Sequence, residues 1–108
     1  MELAYYIYRI LRSQLMVMFS WGFSHPVVIR NGLRFSVNGF KHKGDVAVEL
    51  SPMDEFRISL IKHGKVVRVI DGVYIDNLVQ VIDEAVERVH DYEQRVREEY
   101  SLSHARAL

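Results

Sequence analysis

Apolar residues recur at helical spacing near both ends of this chain and alternate with polar ones in between. The longer helical stretch is residues 74–100. There Ile75, Leu78, Val79, Ile82, Val86, Val89 and Val96 fall mostly three, four or seven apart, which sets their side chains on one face of an α-helix. Ala85, Tyr92 and Tyr100 widen that stripe, while Asp83, Glu84, Glu87, Arg88, Asp91, Arg95 and Glu98 take the other side. A helix of this kind needs a flat apolar partner, and the centre of the chain predicts a sheet.

A first helix is predicted over residues 2–19. Leu3, Ile7, Ile10, Leu11, Leu15 and Met18 make its inner stripe. Its reverse side carries Tyr5, Tyr8, Met16 and Phe19, relieved by Arg9, Arg12 and Ser13. Helices that are apolar nearly all round are buried on two sides, so something besides the chain's own sheet is expected to cover this one. Gly22 is placed to end the helix, and Phe19, Trp21 and Phe23 read as a core corner.

Between the helices the period changes to two. Residues 27–30 form a short strand, Asn31-Gly32 is a hairpin signal, and residues 33–38 alternate. After a turn at residues 41–44, Val46, Val48 and Leu50 point one way. Pro52 to Glu55 turns the chain, Phe56, Ile58 and Leu60 point inward, and His63-Gly64 leads into a last strand over residues 65–70. The expected architecture is α+β: an N-terminal helix, an antiparallel meander of four or five strands, and a C-terminal helix. Both helices are expected on one face of the sheet. Residues 1–100 read as a single domain and residues 101–108 as a loose tail.

Parity then assigns the outer face of the sheet. Pairing Leu50 with Phe56 sets Glu49 beside Arg57. A turn at Lys41-His42 would set Arg34 beside Glu49, giving a charged row across three strands. A two-residue turn at His63-Gly64 sets Ile61 beside Val66 and would bring Ile70 next to Arg57. Ile61, Val66 and Ile70 would then form an apolar patch away from the helices. Such patches mark contact surfaces.

Composition adds limits. With 108 residues, 49% hydrophobic and 26% charged, the chain is long enough for one core. No cysteine is present, which excludes disulfides and thiolate metal sites. Glu2, Arg9 and Arg12 interrupt the pattern of a secretory leader, and the apolar run 15–19 is far short of the ~20 residues of a membrane span. A cytoplasmic location without membrane contact is expected. The formal charge is zero but uneven: residues 1–44 hold six basic residues against one acidic, and residues 71–108 hold nine acidic against four basic. Complementary surfaces of two copies are one use of such a split.

No catalytic chemistry is legible. The histidines are His25, His42, His63, His90 and His104, and no two share the i, i+3 or i, i+4 spacing of a ligand pair. The glycines lie at predicted turns and ends, not in a phosphate loop. No cofactor, metal or enzymatic activity is expected. Two functional readings remain. One is an interaction module, a homo-oligomer or the partner of another protein, using Tyr5, Tyr8, Met16, Phe19, Ile61, Val66 and Ile70. The alternative is nucleic-acid binding through Arg30, Arg34, Lys41, His42 and Lys43, a basic run at hairpin ends. So few cations predict weak, salt-sensitive binding.

Overall fold

The computed structural model describes residues 2–88. Its elements are α1 (Glu2–Arg12), α2 (Leu15–Ser20), β1 (Ser24–Ile29), β2 (Gly32–Asn38), β3 (Lys43–Leu50), β4 (Phe56–Lys62), β5 (Lys65–Val73) and α3 (Leu78–Val86). The strands form one antiparallel sheet in the order β1-β2-β3-β4-β5, so the α+β meander is as expected. Phe35, Val46, Val48, Phe56 and Ile58 meet Ile7, Leu11, Leu78, Ile82 and Val86 in a single buried cluster. Both terminal helices therefore cover the same sheet face. Val89, Tyr92, Val96, Tyr100 and the expected tail lie outside the described residues.

The first helix is two helices. Ser13 and Gln14 separate them, because the backbone tightens there. The Ser13 N–H is shared between the Arg9 and Ile10 carbonyls, and the Gln14 N–H reaches only back to Leu11. The Ser13 hydroxyl also donates to the Ile10 carbonyl at 2.6 Å, a local bond that competes with helix propagation. Gln14 then leaves the helical region at φ −121°, ψ 66°. The break reorients α2, so Leu15 is exposed while Met18 and Trp21 are buried. Trp21 stacks on Phe35 at 6.4 Å and donates its indole N–H to Asp83 at 2.9 Å. Phe19, expected in that corner, faces out.

The C-terminal helix begins at Leu78, later than expected, because β5 runs to Val73 and Asn77 bridges the connection by accepting the Tyr74 N–H. It ends at Val86 for a tertiary reason. The loop 39–42 crosses its end, and the Lys41 and His42 N–H groups donate to the Val86 carbonyl at 2.9 and 3.2 Å. The Lys41 ammonium takes the Glu84 carbonyl and the Glu87 carboxylate takes the Phe40 N–H. Carbonyls that a helix end leaves open are thus satisfied by another part of the chain. Gly39 allows this approach: a Cβ there would lie 2.2 Å from the Val86 oxygen.

Three expectations of register are corrected. The β1–β2 turn is centred on Arg30-Asn31, with Ile29 opposite Gly32, so Asn31-Gly32 is not the turn. Gly32 serves the β2–β3 pair instead: a Cβ there would lie 1.8 Å from the Val48 carbonyl oxygen. The loop 39–42 holds four residues, since Asn38 pairs with Lys43, and this sets Arg34 opposite Ala47 and not Glu49. Leu50–Phe56, Glu49–Arg57 and Ile61–Val66 pair as expected. Beyond Val66, however, β5 carries an extra residue, Val67, so Arg68 faces Leu60 and Ile70 faces Ile58. Ile70 thereby turns to the helix side and packs on the core. A second bulge at Asp71-Gly72 brings Val73 opposite Phe56.

Candidate functional site

The basic residues are not gathered into one surface. Arg30 sits in the turn before β2 and Lys41, His42 and Lys43 follow its other end, about 20 Å away at ~3.3 Å per strand residue. Arg34, between them, is bound to Asp45: its Nε and Nη2 donate to Asp45 Oδ2 at 2.9 and 2.6 Å. Ser36 donates to the other oxygen at 2.9 Å. The Arg34 hydrogen bond holds the Asp45 carboxyl below the usual carboxylate range, against the opposing effect of burial. Lys41 closes the end of α3, and His42 is buried with Nε2 3.0 Å from the Asp45 carbonyl oxygen. Arg30 and Lys43 alone of the five are both exposed and outside these contacts.

The apolar candidates divide in the same way. Tyr5, Met16 and Phe19 are exposed, by 63, 78 and 59% respectively. Tyr8 is half-buried against Phe23, with ring centroids 6.0 Å apart. Ile61 is buried and Ile70 joins the core, so the patch expected on the outer sheet face is not assembled. Val66 is exposed, joined by Val67 and Val69 because of the bulge. Sequence reasoning missed Tyr6, Val27 and Val28, which also face out. The signal lay in Pro26: a proline suits an edge strand, and edge residues beyond the helices stay uncovered.

A groove of about 470 Å³ lies between α1 and β1, lined by Glu2, Ala4, Tyr5, Tyr8, Pro26, Val28 and Leu33. The exposed side of α1 is itself ordered. Glu2, Tyr5, Arg9 and Arg12 stand three, four and three residues apart, hence on one face, and all four are exposed. The Arg9 guanidinium lies over the Tyr5 ring, 5.9 Å from its centroid.

A larger crevice, about 690 Å³, opens beside the β3–β4 turn, with apolar walls from Leu3, Leu50, Met53 and Phe56 and charged groups from Glu49, Glu55, Arg57 and Asp71. Its charges are used among neighbours: Arg57 Nε donates to Asp71 at 2.7 Å, and the Tyr74 hydroxyl donates to Glu55 at 2.8 Å. That carboxylate pushes the Tyr74 phenol upward from its ordinary pKa. The lining contains no histidine. Among the described residues, no group of three or more histidines and carboxylates is placed to hold a metal ion, and no helix is long and apolar enough to cross a membrane.

No known protein family matches the chain, no curated protein is similar to it, and no solved structure matches its fold.

Proposed function

We propose that this chain is a small non-enzymatic interaction module of the cytoplasm that associates with a second copy through its N-terminal helical layer. The observation that carries the proposal is the set of large exposed side chains on this layer: Tyr5, Met16 and Phe19 on the helices and Val27 and Val28 on the edge strand, with Tyr5 and Val28 lining one groove. Fully burying one apolar side chain is worth roughly 1.5–3 kcal/mol, so leaving several aromatic and aliphatic groups in water forgoes a large favourable contribution. A two-fold dimer buries the same patch twice, and it is the commonest closed assembly. The outer sheet face is not part of this contact, since Ile61 and Ile70 are spent inside the fold. Nucleic-acid binding gains no supporting observation, because Arg34 and Lys41 are occupied and His42 is buried.

The test is the mass in solution by sedimentation equilibrium across a wide concentration range. Twice the chain mass of 12.7 kDa is expected, and Phe19→Ser should weaken the dimer without loss of helical circular dichroism. A parent that stays at one chain mass at millimolar concentration rules out self-association.

A further inference from the structure

We infer that the two copies meet along α1, antiparallel, with the Glu2–Tyr5–Arg9–Arg12 stripe of one helix laid on the same stripe of the other. This rests on the self-association proposed above and names its geometry. The stripe carries its acid at one end, Glu2, and its bases at the other, Arg9 and Arg12. Its midpoint is residue 7. An antiparallel pair about a two-fold axis there sets residue 2 opposite residue 12 of the second copy, and residue 5 opposite residue 9. Each Glu2 carboxylate then meets an Arg12 guanidinium, and each Tyr5 ring meets an Arg9, twice per dimer. A parallel pair would instead set Glu2 on Glu2 and arginines on arginines, so the charge order permits one direction only.

Three features of the monomer fit this arrangement. All four side chains are exposed, and none of them forms an ion pair with another of the described residues. Arg9 already lies over Tyr5, so the aromatic–guanidinium ridge is preformed and little side-chain freedom is lost on docking. The groove between α1 and β1 runs beside the ridge and offers apolar walls to the flank of an incoming helix. Antiparallel helices also oppose their dipoles favourably.

The experiment is charge exchange read by sedimentation velocity at low and moderate salt, with circular dichroism to confirm folding. Glu2→Lys and Arg12→Glu should each be monomeric where the parent is dimeric, because each sets like charges against one another twice. An equimolar mixture of the two should recover a dimer, since the introduced lysine of one copy then faces the introduced glutamate of the other at one end, and the native Arg12 faces the native Glu2 at the other. The double variant E2K/R12E should recover it alone. Tyr5→Ala, which keeps the charges, should weaken the dimer at least tenfold. Single variants as dimeric as the parent, or a mixture that remains monomeric, would overturn the α1 geometry while leaving self-association through another surface standing. A monomeric parent removes both proposals together. If either single variant fails to fold, the double variant and Tyr5→Ala still decide: a monomeric double variant with a Tyr5→Ala dimer as tight as the parent overturns the inference.

Discussion

Both faces of the sheet are dry at their centre, by different means. On the helix side Phe35, Val46, Val48 and Ile58 are fully covered by large side chains from α1 and α3. On the other side Ala47, Ser59 and Ile61 are also buried, although the helices pack elsewhere. There the residues are small at the middle of the sheet. Arg34 lies directly across from Ala47, with its guanidinium held by Asp45 on the same strand as Ala47. A long side chain fixed at its tip can lay its stem over small neighbours. One face is closed by a second layer, and the other is sheltered by the sheet's own side chains. Parity alone says which way a residue points, not whether water reaches it.

The largest expected effect tests the covered face. Ile82→Ala should cost about 2–5 kcal/mol in denaturant unfolding, the range for emptying a packed site that cannot collapse. A loss below half a kcal/mol would mean that α3 does not close this face. Next comes the hydrogen bond that ties α2 to α3 across the same layer. Asp83→Ala leaves the buried Trp21 N–H without its acceptor and should cost about 1–3 kcal/mol. Trp21 is the only tryptophan, so its fluorescence reports the change directly, and an unaltered emission spectrum would contradict the bond.

Ile61→Ala probes the sheltered face. Side chains around it can settle more freely than a helix can, so the loss should be less than half that of Ile82→Ala in the same assay. Equal losses would make the two faces equivalent and end the distinction. The smallest effect concerns the fastening of Arg34. Because the folded pKa of Asp45 lies below its unfolded value, the stabilisation is present above the unfolded value, about 4, and fades as pH falls through the folded one. Unfolding midpoints measured from pH 6 down to pH 2 should therefore fall for the parent, and Asp45→Asn should remove part of that slope. Identical slopes would show that the pair contributes nothing to acid sensitivity. The pair is partly exposed and screened, so the difference should stay below about 1 kcal/mol.

Pattern along the chain determined the antiparallel meander order of the strands, the placement of both helices on one face, and the core members Ile7, Phe35, Val48, Ile58 and Ile82. These follow from periods of two and 3.6, which any stable packing must respect. Tyr5, Met16 and Phe19 were legible as candidates for the same reason, since they fall opposite the inner stripe. What periodicity could not supply was any event that depends on a distant partner. The bulge at Val67 moves Ile70 from the outer face to the core, because one added residue reverses every side chain beyond it. The loop 39–42 ends α3 and uses Lys41 and His42, so two apparent phosphate ligands became helix caps. Asn31-Gly32 has the residues of a turn, yet Gly32 is required in β2 by the carbonyl of Val48 on the next strand. Local spacing carries the direction of each side chain. Register, capping and shelter depend on which atoms arrive from elsewhere in the chain, and only the assembled fold decides them.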